Sequence, residues 1–116
     1  MVQGHPVEGE MIVRTGWPDA PVALLNAVRH HHERTDGCGY PDRLTELPLL
    51  TARVAVADVY DAVRTARSYQ PARSAVEAQA ILRKVALPPH VVEAVLLAAE
   101  LLQDVWCEEQ MDSGAA

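Results

Sequence analysis

The spacing of apolar residues predicts an all-helical chain. Apolar residues recur at intervals of three and four along most segments, as they do on one face of a helix, and no segment alternates cleanly between apolar and polar residues. This pattern predicts five helices, over residues 6–14, 21–34, 49–66, 74–86 and 88–109. We therefore expect a small helical bundle.

Residues that begin or weaken helices support several of these boundaries. Pro6 suits the first position of a helix, because its fixed backbone angle is already helical. Gly9 weakens that helix, since glycine loses more backbone freedom than other residues when it is ordered. Ser74 and Glu77 have the spacing of a capping box at the start of the fourth helix.

The last predicted helix is apolar over most of its circumference. Beside its main stripe it carries a second apolar face, formed by Val92, Leu96, Leu97, Leu101 and Trp106. Such a helix must be covered on several sides. Three arrangements meet this requirement: the chain forms a dimer, it belongs to a larger domain, or the helix lies at the centre of its own small bundle.

Composition and charge narrow the class of protein. A chain of 116 residues forms one domain, which we place at residues 1–110 with a disordered tail at 111–116. The absence of Phe predicts a core of small side chains. A net charge of −6 argues against DNA binding, which needs a basic surface, but not against a small phosphate ligand held by one or two arginines.

Cysteine content and hydropathy predict the location. Cys38 and Cys107 lie far apart in the sequence, as expected for reduced thiols in a cytoplasmic protein. No apolar run has the length of a membrane span, and no signal peptide is recognisable. We therefore expect a cytoplasmic protein without a membrane partner.

The stretch HHHERTDGCGYP, residues 30–41, carries the densest chemistry of the chain. Consecutive helical residues point about 100° apart, so two of the three histidines can approach a shared site from adjacent directions. Neutral imidazole is the commonest metal ligand in proteins. The alternative is a solvated helix end, where cationic histidine is favoured by the helix dipole.

Asp58 strengthens the metal interpretation. It lies in the predicted third helix among small apolar residues, where an aspartate is costly to bury unless it is paired or bound to metal. Asp61 follows three residues later near the same face. The alternative is that one of the two is exposed or pairs with a nearby arginine. His5 is uninformative alone, and we assign no role to His90.

The loop after the histidines places its backbone tightly. Gly37 and Gly39 permit close approach, and Pro41 restricts Tyr40 to an extended conformation. Asp36 can hold the turn through its side chain. In isolation this is a generic turn, but beside two histidines and an acid it indicates a loop that positions a substrate near a metal.

The same residues resemble a known family. The string HHERTDGCGYP is similar to the HHExxDGxGYP pattern of HD-GYP domains and matches it at every fixed position: His31, His32, Glu33, Asp36, Gly37, Gly39, Tyr40 and Pro41. The stretches HPVEGEMI and ARVAVADVYDAVRTARSYQ resemble further parts of the family in the same order. The resemblance covers roughly residues 5–95.

The resemblance implies a fold and an activity. HD-GYP domains are all-α helical bundles of the HD superfamily that bind two or three metals, often iron or manganese, and many hydrolyse cyclic di-GMP. Carried over by position, the implied metal ligands are His5, His31, His32 and Asp58. The implied substrate-binding residues are Asp36, Gly37, Gly39, Tyr40, Pro41 and Arg67.

The chain also departs from the family pattern. The His–Asp pair that names the superfamily, a bridging aspartate and a lysine proton donor belong to an upstream helix that this chain lacks. Gln70 stands where a lysine is common. We therefore expect a partial HD-GYP domain with an exposed apolar surface, partial metal binding and weak activity alone.

Two alternatives stay open. The first is a degenerate, non-catalytic signalling module that binds a protein partner, a second copy of itself or a cyclic dinucleotide. The second is a structural remnant or a wrongly assigned gene start. An in-frame His–Asp motif upstream of Met1 would favour the enzyme, and a clean start at Met1 would favour the module.

Overall fold

The protein is built from five helices. The structure, a computed structural model, describes the backbone of residues 5–65 and 71–114 and the side chains of residues 5–65 and 71–102. Within these ranges it contains no strand, and its helices are α1 (His5–Gly16), α2 (Val22–His30), α3 (Leu49–Arg64), α4 (Ala75–Lys84) and α5 (Pro89–Gly114). The prediction of an all-α fold is confirmed.

Two helix ends differ from the prediction by more than two residues. Helix α2 ends at His30 rather than at residue 34, because the chain turns there and the Glu33 N–H donates to the His30 carbonyl at 2.9 Å. Helix α5 extends to Gly114 rather than ending at 109, since no glycine or proline interrupts residues 90–113. Residues 111–114, expected in a disordered tail, continue this helix, whereas the domain boundary at residue 110 stays a prediction.

Helices α1 and α2 pack closely where α1 carries a glycine. A Cβ atom added to Gly9 would lie 3.1 Å from Cγ1 of Val28, so a larger residue would push the helices apart. Pro6 at the start of α1 is buried, as are Leu25 and Ala27 of α2. The glycine that weakens α1 as an isolated helix therefore allows its contact with α2.

The core lies between α3, α4 and α5. Its fully buried members are mostly small, as the composition predicted: Ala52, Ala55, Val56, Leu82, Leu87, Val91, Val92 and Leu96. Helix α4 begins with the predicted capping box, in which the Ser74 hydroxyl accepts the Glu77 N–H at 3.2 Å. This cap fixes the start of α4 where the helix enters the core.

The outer face of α5 is apolar and exposed. Leu97, Leu101 and Leu102 are 58%, 60% and 65% exposed. This agrees with the expectation of an exposed apolar surface on the last helix. Among the residues that the structure describes, no helix has the length and apolar character needed to cross a membrane.

Core and outer-face leucines should differ sharply in their contribution to stability. We expect Leu82→Ala to lower the free energy of unfolding by about 3 kcal/mol, because Leu82 is buried and its removal leaves a cavity. The double variant Leu97→Gln/Leu101→Gln should change it by less than about 1 kcal/mol. Urea denaturation measures both, and an equal loss in the two variants would show that the α5 leucines are covered in solution.

Candidate metal centre

The end of α2 orients His31. Its Nδ1 atom lies 2.8 Å from the Val28 carbonyl oxygen and 3.2 Å from that of Ala27. Because a carbonyl oxygen only accepts, Nδ1 carries the hydrogen and donates it. In the neutral ring the lone pair is then on Nε2. A hydrogen bond of this kind commonly fixes the tautomer of a metal-binding histidine, and it leaves Nε2 of His31 available to a cation.

Helix α3 brings an aspartate to the histidines at the end of α2. His31, His32 and Asp58 each offer one ligand atom, and these atoms all lie within 4.8 Å of one another. Asp58 is exposed, so the expectation that it is buried was wrong. The buried face of α3 is formed by Thr51, Ala52, Ala55 and Val56. Asp58 lies outside that face, and its small apolar neighbours were therefore not a sign of burial.

His5 lies near this group without belonging to it. It is exposed at the start of α1, and its charge contributes to lowering the pKa of His32. Its ring nitrogens are not among the ligand atoms that lie within 4.8 Å of one another. The structure therefore brings three of the four expected ligands together and places the fourth in their vicinity.

The electrostatic environment of His32 favours its neutral form. Burial lowers the pKa of His32 below its usual value of 6.5, the neighbouring His31 lowers it further, and the carboxylate of Asp58 opposes both effects. Neutral imidazole is the form that binds metal. The same environment that disfavours protonation of His32 thus prepares it as a ligand.

The donor set fits a divalent transition metal. Two ligands that each lie about 2.1 Å from one ion are at most about 4.2 Å apart. The observed limit of 4.8 Å exceeds this by about 0.6 Å, so small side-chain rotations suffice; Asp58 is exposed and both histidines are half-buried. Two imidazoles and one carboxylate with open positions are typical of sites for ferrous iron.

Glu33 organises the loop beside this group. Its side chain is fully buried, and its carboxylate accepts the backbone N–H groups of Asp42 at 2.7 Å and Leu44 at 2.9 Å. His30 Nδ1 lies 3.3 Å from the same carboxylate. From the sequence, Glu33 was a fixed position of the motif without a predicted role. The signal that could have shown one is an acid in an otherwise tight turn, since buried carboxylates need several donors.

Gly37 and Gly39 are each required in the loop, for different reasons. Gly37 has a φ of +77°, which residues with side chains rarely adopt. A Cβ atom on Gly39 would lie 2.4 Å from the Glu33 Cα, so only glycine fits against that backbone. Asp36 is exposed and holds the turn by accepting the Cys38 N–H at 2.9 Å. The peptide bond between Tyr40 and Pro41 is cis.

The substrate-binding residues stay a prediction. The structure gathers Asp36, Gly37, Gly39, Tyr40 and Pro41 in one loop that adjoins His32. Arg67 lies outside the described residues. Cys38 in the same loop is a free, exposed thiol, and the side chain of Cys107 lies outside the described part.

An ion-pair network that the sequence did not reveal ties the loop to two helices. Arg29 of α2 binds both oxygens of Asp42, at 2.8 and 3.1 Å, and Glu10 of α1 at 3.1 Å. His30, Glu33 and Asp42 also form a group with metal-ligand geometry. Because Arg29 and two backbone amides already occupy these carboxylates, we interpret that group as structural.

Removing the Asp42 carboxylate should have a pH-dependent cost. The hydrogen bonds from Arg29 hold the pKa of Asp42 below its usual value of 3.8. The unfolded chain therefore binds this proton first as the pH falls, so the pair stabilises the fold fully above about pH 4 and is lost as the pH drops through the lower folded pKa. We expect Asp42→Asn to cost about 1 kcal/mol at pH 7.

The measurement is urea denaturation of both proteins from pH 7 to pH 3. The difference should shrink below about pH 4, since acid then removes the charge from the wild-type side chain as well. A cost that stays constant across this range would show that the ionised pair contributes nothing.

Sequence comparison decides the family. A sequence model of the HD domain family matches residues 1–91. The chain belongs to the HD domain family. The resemblance to HD-GYP domains is confirmed by relatives that carry phosphodiesterase names. The region that matches the HD domain family contains α1–α4 and the histidine group.

Three relatives illustrate the range of similarity. The chain is 45% identical over 75 residues to a cyclic di-GMP phosphodiesterase of Vibrio cholerae, a match that covers 60% of this chain and 15% of that protein. It is 43% identical over 89 residues to the cyclic di-GMP phosphodiesterase response regulator RpfG of Xanthomonas campestris, covering 72% and 23%. It is 31% identical over 112 residues to the 3'3'-cGAMP-specific phosphodiesterase 3 of Vibrio cholerae, covering 92% and 24%.

The chain therefore spans about a quarter or less of the length of these relatives.

Proposed function

We propose that the chain is the metal-binding part of a phosphodiesterase that acts on cyclic di-GMP or a related cyclic dinucleotide. The observation that carries this proposal is the group formed by His31, His32 and Asp58, directly beside a loop with the complete HHExxDGxGYP pattern. The names of the relatives support a cyclic dinucleotide as the substrate. The free, exposed thiol of Cys38 supports a cytoplasmic location.

The candidate ligands and the loop residues have different roles in the proposed site. His31 and His32 would hold a divalent cation, iron or manganese, through ring nitrogens, and Asp58 would add a negative charge to the site. His5, at the start of α1, would be the fourth ligand. A cation held there supplies positive charge for the phosphodiester oxygens and makes water a better nucleophile. The loop residues 36–41 and Arg67 would hold the dinucleotide.

Binding of Mn²⁺ and hydrolysis of cyclic di-GMP test the proposal together. We expect His32→Ala and Asp58→Ala each to weaken Mn²⁺ binding by about 100-fold in a calorimetric titration, because each removes one direct ligand. Hydrolysis, followed by chromatography of the products, should fall in parallel. His90→Ala is the matched control, since His90 is an exposed histidine at the start of α5.

Two outcomes would count against this proposal. Unchanged Mn²⁺ affinity in both ligand variants would show that the three residues are not the site. Equal losses in His90→Ala would show that the titration reports non-specific binding to surface histidines.

One observation favours a second function, that of a non-catalytic module. In the described part of the chain, the remaining group with ligand geometry is engaged by Arg29 and by backbone amides, so it offers no second metal site. The exposed leucines of α5 would then serve a protein partner or a second copy of the chain. Cyclic di-GMP binding without hydrolysis would favour this function.

A further inference from the structure

The two histidine rings of the metal group are held in different ways. His31 donates a hydrogen bond from Nδ1 to the Val28 carbonyl, which fixes the rotation of its ring. The ring of His32 makes no hydrogen bond to any described residue. It lies close to two other rings instead: its centroid is 4.2 Å from that of His31, with 42° between the planes, and 5.1 Å from that of Tyr40, with 17°.

Tyr40 is itself held in place by backbone contacts. Its N–H donates to the His32 carbonyl at 3.4 Å. The preceding Gly39 packs against the backbone of Glu33, with no room for a Cβ atom. On the other side, the Asp42 N–H donates to the buried carboxylate of Glu33 at 2.7 Å. The loop therefore presents the Tyr40 ring at a defined position over His32.

We propose that Tyr40 is a positioning residue that orients the imidazole of His32 for metal binding by stacking on it. A metal-binding histidine is normally oriented by a hydrogen bond from its second nitrogen. Offset stacking restricts the rotation of a ring in the same way, and aromatic pairs of this geometry are favourable. It leaves both nitrogens of His32 free, one of them for a cation.

This inference rests on the proposed metal site but differs from the expected role of the loop. If Tyr40 served the substrate through its hydroxyl group, Tyr40→Phe would weaken cyclic di-GMP binding and leave the metal unaffected. If the ring orients His32, Tyr40→Phe should keep the affinity for Mn²⁺, whereas Tyr40→Leu should weaken it. The two substitutions therefore separate the hydroxyl group from the ring.

The first readout is the NMR spectrum of the metal-free chain. A ring stacked on His32 shifts the carbon-bound imidazole protons upfield. We expect this shift in the wild type and in Tyr40→Phe, and its loss in Tyr40→Leu. Absence of the shift in the wild type would overturn the inference without reference to any metal.

The second readout is the affinity for Mn²⁺ alone, measured by calorimetry. We expect Tyr40→Leu to bind Mn²⁺ about 10-fold more weakly than the wild type, the lower end of the effect of residues that orient metal ligands, and Tyr40→Phe to bind within about twofold of it. Trp17→Leu is the matched control, because Trp17 is a half-exposed aromatic residue that directly follows α1, at the opposite end of that helix from His5. If Tyr40→Leu fails to fold, Tyr40→Met fills the same space without a ring.

The outcomes separate this inference from the proposed function. Equal Mn²⁺ affinity in the wild type and in Tyr40→Leu would overturn the positioning role and leave the metal site standing. A wild type that binds no Mn²⁺ would overturn the metal site and with it the positioning role, even if the upfield shift shows that the rings are stacked. An equal loss in Tyr40→Phe would assign the effect to the hydroxyl group and overturn the role of the ring.

Discussion

The 116-residue chain, supplied with Mn²⁺, should hydrolyse cyclic di-GMP at least about 1,000-fold more slowly than a longer chain that adds further carboxylate and histidine ligands to the same site. The reason is the number of ligands. His31, His32 and Asp58 suffice for one cation, and the second group of ligand type is occupied by Arg29. Phosphodiester cleavage is assisted by two positive centres that stabilise the attacking and leaving oxygens.

The size of this effect follows from transition-state stabilisation. Losing one positive centre and one proton donor should cost about 4 kcal/mol, and each 1.4 kcal/mol is about tenfold in rate. Single-turnover hydrolysis with and without the added segment, in one chain or as two, measures the ratio. The added segment with its acidic and histidine residues replaced by alanine is the control. A rate equal to that of the longer chain would show that one cation site is sufficient.

Replacing Glu33 by glutamine should destabilise the fold by about 3 kcal/mol, or lower the melting temperature by about 10 °C. Glu33 is fully buried, and both of its carboxylate oxygens accept backbone N–H groups, from Asp42 and Leu44. Glutamine offers one acceptor oxygen and turns an NH₂ group toward the other donor. One buried N–H group is then left without a partner, at a cost of about 1–3 kcal/mol, and the negative charge beside His30 is lost as well.

Glu46→Gln is the matched control for this prediction. Glu46 is an exposed glutamate in the same connection between α2 and α3, so its substitution should change the melting temperature by less than about 2 °C. Thermal unfolding followed by circular dichroism measures both variants. Equal melting temperatures would show that the loop does not depend on the buried carboxylate.

The local features of the fold were predictable from the sequence because they depend on neighbouring residues. The apolar periodicity predicted all five helices, and the spacing of Ser74 and Glu77 predicted the cap of α4. The end of α2 was not predictable in this way. The loop that follows it is held by the Glu33 carboxylate, which accepts N–H groups from residues nine and eleven positions further along the chain. Helical periodicity contains no information about such contacts.

The candidate site was predictable to a similar degree. The motif identified His31 and His32. An aspartate within the predicted third helix identified Asp58, which the structure places beside them. The exposure of Asp58 was not predicted, because composition does not show which side of a helix faces the core. The pairing of Arg29 with Asp42 and Glu10 joins three separate segments and follows only from the packing of α1 on α2.

The buried carboxylate of Glu33 also makes the loop observable without any ligand. The amide hydrogens of Asp42 and Leu44 are bonded to it, so they can exchange with deuterium only when they separate from the Glu33 carboxylate. Their exchange rates therefore report opening of the loop. Amides at the centre of α3 exchange only when a larger part of the fold opens. The ratio of the intrinsic rate of a loop amide in an unfolded chain to its observed rate gives the free energy that separates an ordered loop from an open one. It would show how often Tyr40 leaves His32 in the resting protein.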